Sequence, residues 1–504
     1  MSGSSLHRAR QQNLHNFSKK PSTIYGNGRL ARLSDPVIRD LTRRDGFFIG
    51  ADFCVPLFFN PFAPRMGHMM TYGLTRAGKS SSLVIPAALH WDDGSLYITD
   101  NKGEVASVAG AYRKERGRIV IEFNPFGING ENRISINPFL ILIKDINLNK
   151  GRNLHRFAVA ISFALLEDNP AEREPFFRKG GRRFLTALIL YVAVIEKEKC
   201  HLPGLHELVW SGNEKLLGIA QTLKACSTYG GMLKNYGNHL EHLLNPAYPK
   251  TFGPMRDHAI DATLIFGADT DFGKALIGND FDLEDFLQGN VDFYAIFSED
   301  TSVLYGGRFN SIVLAILFVL IGSRPKGPPL MILAEEAGNM AAIPDIDKIM
   351  TMLAGKNLRL WFIYQTQKQV VHRYGETVAK LIESQCTFKQ LIGVDDPENA
   401  KYWSARSGKK TVKTYTLNHD PRDPLTPWKP SVSETERPVL HEGEIMRLPL
   451  TKQIISITGQ PVKTADVVPF YRVKQWRENA RPNPYYPEGY PKSEPVMIDL
   501  EKKP

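Results

Sequence analysis

The run Gly73-Leu-Thr-Arg-Ala-Gly78-Lys79-Ser80 fits the pattern G-x-x-x-x-G-K-[ST] at every position. These residue types at this spacing wrap a backbone around phosphate groups. Gly73 and Gly78 give the loop turns free of Cβ atoms, and Thr75, Arg76, Ala77 and Ser81 are the remaining candidate lining residues. Helix-like text follows from Lys79 to His90; its first N–H groups and the positive end of its dipole would face the anion. Lys79 would reach the β and γ phosphates, and the Ser80 hydroxyl would ligate Mg²⁺. The loop therefore predicts a site for ATP and Mg²⁺, against the blander reading of a chance match in a surface loop. Pro86 falls inside the helix text, where it is expected to kink the helix or end its first segment.

Such a site also needs carboxylates at the end of a neighbouring buried strand. Leu330-Met-Ile-Leu-Ala334-Glu335-Glu336 is an apolar run ending in two acids. Glu335 is assigned to the metal shell and Glu336 to general-base work on the attacking water; a solvated acidic turn is the alternative. The next apolar run, Arg359–Tyr364, ends in Gln365-Thr-Gln367. Gln365 could hold that water or sense the γ-phosphate, or simply cap a strand. Asn101-Lys102-Gly103-Glu104 looks like the guanine-reading N-K-x-D, but it comes too soon after the loop and ends in Glu, so a GTPase reading is rejected.

These groups need a scaffold that brings distant strand ends together. Met69–Tyr72, Ser95–Thr99, Arg118–Phe123, Val291–Phe297, Leu330–Ala334 and Arg359–Tyr364 read as short apolar strands, with helix text between several of them. That alternation predicts an α/β fold with a mostly parallel sheet. Thr387–Leu391 and Gln453–Ile457 are weaker strand candidates. Residues 150–265 read as helical throughout. The division expected is a flexible basic arm at 1–24, a nucleotide-binding domain split between 25–149 and 266–481, an inserted all-α domain at 150–265, and an extended proline-rich tail at 482–504.

Composition limits the alternatives. A chain of 504 residues allows a few domains at about 150 residues each. The balance of 63 Lys+Arg against 53 Asp+Glu leaves net +10, which favours an anionic partner such as nucleic acid or a lipid surface. Cys54, Cys200, Cys226 and Cys386 form no C-x-x-C pair, which argues against a disulfide scaffold or zinc site and fits a reducing cytosol. No apolar run reaches the roughly 20 residues of a membrane span, and no secretory signal is visible at the N-terminus.

Taken jointly, the motifs resemble the type IV coupling proteins, the DNA-pumping ATPases of bacterial conjugation and type IV secretion. Beyond Gly73–Ser80 the resemblance rests on Ser82-Leu-Val-Ile-Pro86, Asp100-Asn-Lys102-Gly103-Glu104, Asn124-Pro125-Phe126, Asn137-Pro138, Pro175-Phe176-Phe177, Phe281-Asp282-Leu283, Tyr364-Gln365, and Arg437-Pro438 through Leu448-Pro449. It covers about Tyr25 to Arg477 and departs at Glu335, where the family has Asp. The resemblance implies a RecA-like P-loop NTPase with an inserted all-α domain, assembled as a hexameric ring with ATP between subunits. It implies sequence-independent binding of DNA, single-stranded in the first instance. It also implies a relaxase or other secretion substrate, and contacts with secretion-channel ATPases and inner-membrane components. The family supplies an arginine across the subunit interface; Arg359, Arg406 and Lys356 are the candidate cations here. Most members begin with membrane-spanning helices and none is read here, so a cytoplasmic location, or a peripheral one at the inner membrane, is expected. A non-hydrolysing ATP-binding docking platform and a soluble translocase or helicase outside secretion are the rival functions.

Overall fold

A computed structural model describes residues 20–501 apart from 131–133, 168–174, 246–248, 341, 344, 419–428, 487 and 490–494. Most of the basic arm at 1–24 therefore lies outside the described residues, as does part of the proline-rich end.

Eleven strands form one sheet in the order β2-β1-β13-β12-β9-β3-β8-β7-β4-β6-β5. The seven from β9 to β5 are parallel: β3 (His68–Gly73), β4 (Ser95–Asp100), β5 (Ile119–Phe123), β6 (Val291–Ile296), β7 (Leu330–Ala334), β8 (Leu358–Tyr364) and β9 (Cys386–Ile392). Both faces of these strands are covered, which is why they read as continuous apolar runs rather than alternating ones. Along β7, for example, Ile332 joins one core layer while Met331 and Leu333 join the other. β1 (Phe47–Asp52), β2 (Val55–Phe59), β12 (Lys452–Ile457) and β13 (Lys463–Asp466) extend the sheet antiparallel beyond β9.

One face is covered by the helices Ile85–His90 and Glu104–Glu115. The other carries the helix Gly307–Gly322 and helices of the segment inserted between β5 and β6. That segment includes Leu140–Asn149, Leu154–Leu165, Pro175–Val194, Leu202–Val209, Asn213–Ala225, Met232–Leu243 and Pro249–Thr263, without a named strand among its described residues. One stretch, Glu299–Gly322, is long and apolar enough to cross a membrane (mean hydropathy 1.9), but 78% of its apolar window is buried inside the fold. All four cysteines are free.

A separate two-stranded hairpin, β10 (Lys409–Asn418) and β11 (Lys429–Pro438), stands apart from the sheet. Residues 20–28 lie beside it: the Ser22 amide donates to Glu434 at 2.7 Å and Asn27 bridges Lys410. The chain end also packs back, with Ile498 buried and bridging Val473.

Candidate nucleotide site

The strand order places β8 and β7 between β3 and β4. The register pairs Tyr72 with Tyr364, Ala334 with Phe362 and Thr99 with Ala334. The residues leaving four neighbouring strands at one edge are thus Gly73, Gln365, Glu335-Glu336 and Asp100. Residues 255 positions apart meet here because parallel strands deliver their C-terminal ends to the same edge.

The loop after β3 is built as its sequence requires. A Cβ on Gly73 would lie 2.9 Å from Lys79 Cδ, so glycine lets the lysine stem cross the strand end. Gly78 and Arg76 both take left-handed backbone, φ 75 and 62, a conformation easy for glycine and uncommon for arginine. Thr75 and Arg76 are exposed at the tip, Ala77 is buried, and Ser81 Oγ donates to the Gly78 carbonyl at 3.1 Å. The Lys79 ammonium folds back on the carbonyls of Gly73 and Leu74, at 3.0 and 2.8 Å. Burial lowers its pKa, against the pull of Glu335 and Glu336. The helix then opens with a π turn, Ser80–Val84, in which the Ile85 N–H bonds the Ser80 carbonyl. Pro86 follows immediately near the start of the α segment Ile85–His90. The wide turn accommodates the proline, which has no N–H to give.

The acids at the end of β7 differ in surroundings. Ser80 Oγ donates to Glu335 Oε1, and Thr99 Oγ1 donates to the Glu335 carbonyl at 2.8 Å. Glu335 is only 8% exposed. Burial pushes its pKa up to about 8; the Ser80 hydroxyl opposes this, while the negative charges of Asp100, Glu104 and Glu336 add to it. Asp100, at the tip of β4, is raised to about 6 by burial, against backbone N–H groups led by that of Ala106. Glu336 sits in left-handed backbone, φ 54. Asn101 Nδ2 and Asn339 Nδ2 donate to its Oε2 at 2.8 and 2.9 Å. A hydroxyl and a buried carboxylate in contact are hard oxygen donors suited to Mg²⁺, so Ser80 and Glu335 fit that ion. Among the described residues no cluster of three His, Cys, Asp or Glu makes a metal cage, as expected for an ion that keeps waters and phosphate oxygens as ligands.

Lys79, Ser80, Glu335 and Glu336 are brought together. Gln365 leaves β8 between them, half-buried, its own N–H bonded to Gln369 Oε1 at 2.9 Å. The candidate cations lie elsewhere. Arg359 is at the opposite end of β8, 7% exposed, and gives its guanidinium to the carbonyls of Pro61, Ala354, Leu358 and Met66. Lys356 precedes it and donates to the Arg324 carbonyl. Arg406 bonds Tyr402 Oη at 2.8 Å and Ser456 Oγ at 3.3 Å, while its Nε is buried without a hydrogen-bond partner among the described residues. Sequence reasoning missed Asn101 and Asn339 as functional candidates. The first lay in the run set aside as a false guanine motif.

A glycine-rich loop at the switch of a parallel sheet, facing paired acids on the next buried strand but one, defines a RecA-like P-loop nucleotide-binding fold. Comparison with known proteins narrows that class. Residues 36–213 match the model described as "Type IV secretory system Conjugative DNA transfer", and residues 329–450 match "TraM recognition site of TraD and TraG". The chain is 22% identical over 453 residues to the conjugal transfer protein TraG of Rhizobium radiobacter, covering 87% of this chain and 68% of TraG. It is 21% identical to the type IV secretion system-coupling protein VirD4 of Bartonella quintana, covering 84% of this chain and 65% of VirD4. Across the first three such relatives it spans 68%, 59% and 62% of their lengths. The fold matches the plasmid coupling protein TrwB in complex with an ATP analogue, with TM-score 0.61, 17% identity, and 90% and 96% of the two chains covered. Over most of its length the chain is thus similar to the type IV coupling proteins.

Proposed function

We propose that this protein is a Mg²⁺-dependent ATPase motor that delivers DNA, or DNA joined to protein, to a type IV secretion channel. The observation that carries the reading is the contact of Ser80 with Glu335, which sets the phosphate loop against the β7 acids. Lys79 would leave its loop carbonyls to pair with the β and γ phosphates. Ser80 and Glu335 would hold Mg²⁺, which when bound neutralises charge developing on the phosphates. Glu336 would take a proton from the attacking water, and Gln365 would sense the γ-phosphate. TraG and VirD4, by name, serve conjugal transfer and type IV secretion, and TrwB binds ADP and Mg²⁺. These support nucleotide, Mg²⁺ and a DNA-bearing substrate here, with gripping by basic side chains that is salt-dependent and blind to sequence. In a homo-oligomeric ring Arg406, Arg359 and Lys356 are the sources considered for the interfacial cation, and each gives hydrogen bonds to its own chain here.

The test is phosphate release against a DNA titration, with oligomer mass measured in parallel. Lys79→Ala is expected to abolish turnover with an unchanged circular dichroism spectrum and melting temperature. Undiminished hydrolysis in that variant would overturn the site. One observation favours a docking platform instead: Glu335, pushed to about 8, is largely neutral near pH 7 without a bound cation. Saturable nucleotide binding with no phosphate release, with or without DNA, would select that reading.

A further inference from the structure

Glu336 is held in an unusual way for a residue that must accept a proton. Its backbone takes left-handed φ and ψ, 54 and 50, which costs on the order of 1 kcal/mol for a residue with a side chain. Two amide groups from different parts of the chain then converge on one of its oxygens. Asn101 reaches Oε2 from the loop after β4 at 2.8 Å, and Asn339 reaches it from the turn after β7 at 2.9 Å. The Asn101 loop is itself fixed. The Lys102 carbonyl accepts from Asn129 Nδ2 and from Tyr485 Oη, both at 2.8 Å, and the Lys102 ammonium pairs with Glu299 at 3.0 Å. Beside the two acids is a cavity of about 10 Å³, lined among others by Thr99, Asn101, Asn310, Glu336 and Asn339. That is about the space of one water molecule, among enough polar groups to bind it.

We infer that Asn101 and Asn339 are positioning residues that clamp Glu336 by one oxygen, so that the other is presented as the base to the attacking water. The inference rests on the ATPase reading above and deepens it. Two donors on Oε2 fix the side-chain torsion and stabilise lone pairs on that oxygen. Oε1 is left with no side-chain donor among the described residues. The left-handed backbone aims the carboxylate at the Asn101 loop, so the strained conformation and the clamp form one device. Asn101 thus ties the tip of β4 to the chemistry at the tip of β7.

Asn101→Asp keeps size and shape but replaces the donor with a like charge against Glu336. Steady-state ATP hydrolysis by the full chain should fall about 100-fold in kcat, as expected when a reacting group is misplaced by an ångström. KM for ATP should stay within about twofold, because a group acting only on the base does not contribute to ground-state binding. Asn101→Ala and Asn339→Ala, which remove one donor each without adding charge, should each cost about tenfold in kcat. In a Glu336→Gln background the same Asn101→Ala change should cost nothing more, because the base it positions is gone. A merely structural role predicts the opposite: raised KM, a lowered melting temperature and an unchanged penalty in the Glu336→Gln background. That result, or kcat within twofold of the parent in both Asn101 variants, overturns the clamp. If the parent chain hydrolyses ATP in a Lys79-dependent manner while the asparagine variants turn over as fast as the parent, the clamp alone fails. If the parent shows no Lys79-dependent hydrolysis at all, the ATPase reading fails and the clamp with it.

Discussion

Two places in the same sheet bury carboxylates and treat them in opposite ways. Near the start of β6, Asp292 is fully buried and matched inside the chain: Arg113 Nε lies 2.6 Å away and an Arg118 amino group 2.8 Å. Arg113, also fully buried, gives its remaining donors to Asp92 and the Trp91 carbonyl, both at 2.6 Å. At the tips of β4 and β7, Asp100 and Glu335 are almost as deeply buried. Among the described residues neither makes an ion pair, and burial raises both, to about 6 and about 8. A buried charge without a partner is costly. The chain supplies the partner at one end of the sheet and leaves it out at the other, where the Mg²⁺ and nucleotide chemistry is proposed. The first arrangement serves the fold; the second spends fold stability to keep a cation site ready.

The largest expected effect tests the structural half of this contrast. Arg113→Met leaves buried Asp292 with Arg118 alone and Asp92 with the exposed Arg116, and should destabilise the protein by up to about 3–5 kcal/mol in urea or thermal unfolding. Adding Asp292→Asn should recover part of the loss, since the stranded charge is then gone. Stability unchanged by Arg113→Met would mean that Arg118 suffices and that the two ends are less different than their geometry implies.

The next effect tests the other half. Glu335 has a folded-state pKa raised above its ordinary value near 4.5. Its contribution to stability is therefore full below about 4.5 and is lost as pH rises toward about 8. Asp100 acts in the same direction between its ordinary range and about 6. The nucleotide-free protein should thus lose stability from pH 5 to pH 8.5, by on the order of a few kcal/mol. Glu335→Gln should flatten most of that slope and abolish turnover. Mg²⁺–nucleotide should bind the parent more tightly as pH rises, because the ion competes with a proton. An equal slope in the Glu335→Gln variant would show that Glu335 is not the group titrating.

The same contrast explains what could be read from sequence. The parallel strands were legible because burial on both faces makes them short apolar blocks, as in Leu330–Ala334 and Leu358–Tyr364. The phosphate loop and its acids were legible because their chemistry fixes residue type and spacing locally. The hairpin β10–β11 was not, since its Lys, Thr and Ser-rich strands leave no apolar signature. Asn101 was not, because its partner lies 235 residues away and only the β4–β7 pairing brings them together. The placement of Arg359 was not legible for a related reason. In sequence it adjoins the glutamine strand, but a strand rises about 3.3 Å per residue, so it ends roughly 20 Å from the tip where Gln365 emerges. The polar ends of β8 look alike as text and differ only in which edge of the sheet they reach.

The smallest expected effect separates two protonation states at the centre of the site. Ser80 Oγ donates to Glu335 Oε1 and so favours the ionised carboxylate, opposing burial. Removing it with Ser80→Ala costs one hydrogen bond, on the order of 1 kcal/mol, or roughly 0.7 pH unit. The pH midpoint of the stability loss should therefore move upward by about that amount. Mg²⁺-dependent nucleotide binding should weaken as well, since one ligand of the ion is lost. If Glu335 were instead protonated and donating to the serine hydroxyl, that hydroxyl would be stabilising the neutral acid. The same substitution would then move the midpoint downward. The sign of the shift tells whether the serine prepares a carboxylate for a cation or helps keep it neutral until the cation arrives.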